Sequence, residues 1–150
     1  MNESSPAPYA GLVTRATAFV LDVALLNGSL AVGGTVLGLA ISVLVPGESR
    51  IDGSVVIAAI AGSTLALAAY LVVFWTLAGQ TPGMRFMGLR LEPVGGGRVS
   101  PGRALARVAG MVLAALPLMA GYALILFDER RQGLQDKLAD TAVLYAVGEG

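Results

Sequence analysis

Residues 15–45 read RATAFVLDVALLNGSLAVGGTVLGLAISVLV. After Arg15 this run carries a single charge, Asp22, across the thirty residues from Ala16 to Val45. A membrane-spanning helix requires only about 20 apolar residues. Placing a carboxylate in hydrocarbon costs about 2.5–3.5 kcal/mol on insertion scales, so such residues face a protein interior, a water pocket or a partner. Arg15, Asp22 and Ser29 are seven apart, almost two helical turns, and share one stripe. The stretch predicts a membrane helix with a charged seam.

Composition agrees. Charged residues are 13% of the 150-residue chain and apolar residues 55%, against about 25% and 45–50% in an ordinary soluble domain. Formal net charge is zero, so no basic field points to nucleic acid. Cysteine and histidine are both absent. Zinc sites built on those residues, His-dependent catalytic triads and disulfides are excluded together. No metal cluster, nucleophile–base pair or cofactor motif stands out, so the chain is expected not to be an enzyme and to carry no cofactor.

Three apolar segments follow, over about 12–45, 54–78 and 108–127. The predicted layout is a disordered lead over 1–10, one membrane domain over 11–147 and a short tail over 148–150. The lead, MNESSPAPYA, lacks the basic region of a signal peptide, and its Tyr9 suits the headgroup level. Gly34 and Gly38 form a small-xxx-small site that predicts close approach of another helix of the same chain, with homodimerisation as the alternative. Residues 46–53 are a polar turn. Phe74-Trp75 closes the second segment as an aromatic pair suited to the far interface.

The third segment holds Pro117 near its middle. As a straight span it would set Arg130, Arg131 and Lys137 across the membrane from Arg85, Arg90, Arg98, Arg103 and Arg107, against the positive-inside rule. A helix broken at Leu116-Pro117 that enters and leaves on one face reconciles the charges, and a kinked full span is the alternative. Either way the N-terminus and residues 79–107 are expected to be cytoplasmic. Within that stretch Leu89–Glu92, Gly95–Gly97 and Arg98–Ser100 read as a short β-hairpin, and Thr141–Val147 is rich enough in β-formers to pair with it. The expected fold class is an all-α membrane protein with two transmembrane helices, a Pro-broken third segment and this small sheet.

Each candidate site has two readings. Asp22 either pairs with a basic residue (Arg85, Arg103, Arg107, or Arg15 if its side chain bends over an axial gap of about 10 Å) or forms a cation or proton site with Asn27 and Ser29 nearby on the ion path. Arg103 and Arg107 share a helix face that meets anionic headgroups or the acidic seam. Asp128, Glu129 and Asp136 lie among Arg130, Arg131 and Lys137, and a solvated, neutralising surface is the reading for Glu129 and Lys137 more than for Asp136. Gly79-Gln80-Thr81-Pro82-Gly83 lacks the Gly-Lys-Ser/Thr of a P-loop and reads as a turn.

Taken in order, Arg15 and Asp22, the turn Gly79–Gly83 with Arg85 after it, and the tail from Phe127 to Thr141 resemble the RDD family, small bacterial membrane proteins named for one arginine and two aspartates. The resemblance implies Arg15 and Asp22 as the arginine and first aspartate, with Asp136 as the second and Asp128 as the alternative. It also shows departures: Met84 where members carry lysine, Gln135 where they carry histidine, Asp140 where they carry glycine. It implies a multi-pass plasma-membrane protein whose partners are the bilayer, anionic headgroups, other membrane subunits or further copies of itself, and monovalent cations. Two functions are expected to compete: an accessory or scaffold subunit of a membrane complex or transport system, and an oligomeric cation/proton antiporter using Asp22.

Overall fold

The structure, a computed structural model, describes residues 9–44, 53–115 and 120–146. The lead up to Pro8, nearly all of the turn over 46–53, the break at Leu116-Pro117 and the tail from Val147 lie outside the described residues.

The first apolar segment forms α1, Leu12–Leu44, and the second α2, Gly53–Ala78. Both are long and apolar enough to cross a membrane. In such helices every interior backbone group is satisfied within the segment, which is why an apolar chain in lipid takes this form. The hydroxyls follow suit. Ser29 and Asn27 donate to the carbonyls of Leu25 and Val23, four residues back. α1 buries only Ala18 and Asp22, so its packing is concentrated within one turn. Gly34 and Gly38 face open space. The expected packing of another helix there is not found among the described residues, because α1 meets its neighbours near its N-terminal end.

A compact layer covers that end. Thr81 caps α3, Pro82–Phe86, and Pro82 occupies its first position, where a missing N–H costs nothing. Gly88 follows with φ 64, a left-handed value suited to glycine. Next come β1, Leu89–Pro93, and α4, Pro101–Ala115. Then follow α5, Ala120–Phe127, α6, Leu134–Leu138, and β2, Thr141–Tyr145. The chain is therefore mostly helical, with one small sheet.

β1 and β2 pair antiparallel with Leu91 opposite Val143. The hairpin expectation needs correction: residues 98–100 are not a strand. The outer edge of β1 is met by Gly79, whose carbonyl accepts from Leu91 N at 2.7 Å, and Val99 is buried in the core instead. The C-terminal strand takes the edge the hairpin would have used. The end of the expected disordered lead is also ordered. Tyr9 bridges Leu144, and Ala10, fully buried, donates to Val143 O at 2.9 Å. Tyr9 thus extends the sheet.

In the third segment Tyr122 donates to the carbonyl of Met111 at 3.1 Å. Eleven residues along one straight helix would be separated by about 16 Å, beyond a tyrosine's reach. α4 and α5 therefore lie against each other and do not form one straight rod. α4 also packs against α6, where Gly110 permits the approach: a Cβ there would stand 2.7 Å from Gln135 Cα.

Candidate functional site

Asp22 sits nearly three turns into α1 and is 2% exposed. None of the basic partners expected for it is there. Its carboxylate accepts from Tyr70 Oη at 2.7 Å, from the backbone N–H of Gly83 at 2.7 Å, and from the Thr81 hydroxyl at short range. Thr81 is bifunctional: its oxygen also accepts from Met84 N at 3.2 Å, capping α3. Asp22 therefore completes the first turn of α3 from outside, placing a negative charge where the helix dipole and free N–H groups favour it. Hydrogen bonds to a charged group contribute about 1.5–3 kcal/mol each, so three of them outweigh the cost of burying the carboxylate.

The fit depends on Gly83. A Cβ at that position would fall 2.2 Å from Ala18 O and 2.8 Å from the Asp22 carboxylate. The sequence expectation of a plain turn over Gly79–Gly83 is thus sharpened, because the turn is the docking piece for α1. Gln80, half-buried, makes none of these bonds.

The second centre is Asp136, fully buried. Arg15 approaches it at 2.6 Å from α1, and Arg107 donates to its other oxygen from α4. Gly133 N donates to it at 2.9 Å, closing the first turn of α6. Arg107 also donates to Thr141 Oγ1 at 2.9 Å, and its guanidinium lies 5.0 Å from the centre of the Trp75 ring. Arg15 Nε meets Ala10 O at 3.1 Å. One carboxylate thus gathers α1, α4, α6 and the sheet. Each aspartate closes the N-terminal turn of a short helix, the first from a neighbouring element and the second from within.

The remaining candidates are peripheral. Asp128 accepts from Lys137 at 2.6 Å and from the backbone N–H groups of Gln132 and Arg130. Lys137 first, then Gln132, hold its carboxyl below the usual carboxylate range. Arg103 pairs with Asp140 at 3.2 Å in solvent, where such pairs contribute little. Arg85 and Glu129 are exposed. Asn27 and Ser29 are exposed and bonded to their own helix, so the stripe from Arg15 does not continue past Asp22 as a polar path. Trp75, expected at an interface, is 4% exposed beneath Arg107, and Phe74 packs on Tyr70 with ring centres 4.7 Å apart.

A model of the RDD family matches residues 9–140. The chain belongs to the RDD family. With two helices long and apolar enough to cross a bilayer, it is a membrane protein. No curated protein and no solved structure matches it. Of the two candidates for the second RDD aspartate, Asp136 is the one that meets Arg15. The departures from the family pattern have physical readings too. Asp140 stands at φ 50, the left-handed conformation glycine adopts freely and aspartate tolerates. Met84 and Gln135 are buried beside one cavity.

Sequence reasoning missed Tyr70 and Gly110, and it named Thr81 and Gly83 only as parts of a turn, without their contacts to Asp22. A signal existed for Thr81, since Thr followed by Pro is a helix-cap pattern. For Tyr70 and the two glycines the sequence carried none, because their roles depend on what another element brings against them.

Proposed function

We propose that this protein is an accessory or scaffold subunit of a membrane complex, not a carrier and not an enzyme. The observation that supports this most is how the family's charges are used. Asp22 is engaged by three donors, and Arg15 and Asp136 are engaged with each other. A transported cation would have to displace these bonds and would disconnect α3 or α6 in doing so.

The same reading carries an orientation. Apart from Arg50, which lies outside the described residues, every basic residue belongs to the N-terminal turn of α1 or to the layer over it. The positive-inside rule puts that end in the cytoplasm, with α1 and α2 crossing and α4–α5 turning back. A helix of 33 residues is about 50 Å long, some 20 Å more than the hydrocarbon core. The turns that carry Arg15 and Asp22 then lie at the interface, where a charged seam is tolerated. Anionic headgroups around Arg85, Arg90 and Arg98, and other membrane subunits along the outer half of α1, are the partners this arrangement suits. A reporter fused after Gly150 is expected to be cytoplasmic, and an outside reporter would remove the two-crossing arrangement.

The competing antiporter reading draws on one feature, the position of Asp22 beside a cavity. Liposomes holding the purified protein and a pH-sensitive dye separate the two. Under an imposed sodium gradient the dye signal is expected to match empty liposomes. Sodium-driven proton movement that is lost in a folded Asp22→Asn variant would overturn the scaffold reading.

A further inference from the structure

Between α1, α2, α4, α5 and the sheet lies a cavity of about 410 Å³. Its wall is largely apolar, built from residues such as Phe19, Leu71, Met111 and Ile125. Three lining residues carry buried polar atoms with no hydrogen-bond partner: the Trp75 indole N–H, the Arg107 Nε–H and the Gln135 carbonyl oxygen. These residues are only 4%, 7% and 4% exposed. Native structures leave few such atoms unsatisfied, and each one calls for a cause.

Water alone fits poorly. The volume would take roughly a dozen molecules at about 30 Å³ each, yet only three unpartnered polar atoms belong to its lining residues and most of the wall is apolar. A mostly apolar pocket of a few hundred Å³ with a few convergent polar groups has the form of a small-molecule site.

The polar groups also define the occupant's head. Arg107 lies over the Trp75 ring, and each of the two residues brings an unpaired N–H to the cavity they line. The charge there is unbalanced, with Arg15 and Arg107 facing Asp136 alone, while Asp22 is already engaged by its own donors. The unmet need is for an anionic or strongly accepting oxygen on an apolar body. Phe19, on the cavity wall, is also 36% exposed, so one side chain borders both the cavity and the outer surface of α1.

We propose that this cavity binds one long acyl chain whose head oxygen accepts from Trp75 Nε1 and Arg107 Nε. The chain is supplied either by a free fatty acid or by the acyl arm of a membrane phospholipid. Trp75 is the single tryptophan of the protein, which makes it a built-in reporter. Its fluorescence is read in phosphatidylcholine nanodiscs while dibromostearic acid is titrated in one arm and dibromostearoyl phosphatidylcholine replaces the host lipid in the other. Saturable quenching in either arm is expected, and the arm that saturates identifies the source. Met111→Phe, which sets a rigid ring in the cavity in place of a flexible chain, is expected to weaken the saturable phase. Val112→Phe, at a neighbouring position 61% exposed, should leave it intact. Ile125→Phe obstructs the same space from α5 and replaces Met111→Phe if that variant does not fold. Quenching that stays linear in both arms, or that a folded cavity-obstructing variant leaves unchanged, would mean bulk partition only and overturns the proposal.

Discussion

Asp136→Asn is expected to be the most damaging single substitution in the molecule, at about 3–5 kcal/mol. The cause is what it leaves behind. Arg15 and Arg107 both donate to that carboxylate, and both side chains are nearly buried, at 10% and 8% exposure. Neutralising the acid leaves two guanidinium groups with no counter-charge. The reverse change is milder. Arg15→Met leaves Asp136 paired one-to-one with Arg107, so it is expected to cost clearly less. Thermal midpoints in detergent, followed by the monodisperse fraction remaining after heating, rank the two variants. Equal losses would mean that the three groups do not act as a charge-coupled set.

Gly83→Ala is expected to cost on the order of 3 kcal/mol, combining overpacking with lost bonds to a buried charge. One methyl group would meet a backbone carbonyl at 2.2 Å and the Asp22 carboxylate at 2.8 Å. Backbone carbonyls yield little, so α3 must withdraw. Its withdrawal removes the Thr81 and Gly83 donors and leaves Asp22 with Tyr70 alone. Gly62→Ala is the natural control. It lies within α2 with nothing near its would-be Cβ, so there the usual helix preference for alanine applies and stability should hold or rise. A Gly83→Ala protein as stable as wild type would show that α3 does not need close contact with α1.

Much was legible in the chain. Length and apolarity marked out α1 and α2, because a helix in lipid needs little besides enough consecutive apolar residues. The motif residues pointed to the family. The β-rich residues after Thr141 were also readable as a strand. The errors were all errors of partner. Arg98–Ser100 has strand-like residues, yet β2 holds the edge they would have used. Gly34 and Gly38 have the spacing of a packing site, with no helix against them among the described residues. Asp22 looked for an arginine and found two hydroxyls and an amide.

Sequence alone determined that this chain belongs in a membrane, where α1 and α2 begin and end to within a residue, and that one arginine and two aspartates carry unusual weight. Only the tertiary structure decided which charge meets which. Asp22 and Gly83 are 61 positions apart, and Arg15 and Asp136 are 121. Local spacing places side chains on a face, but it holds no record of distances across the chain. Those were set by a glycine without a Cβ at one contact and by a carboxylate able to accept from two arginines at the other.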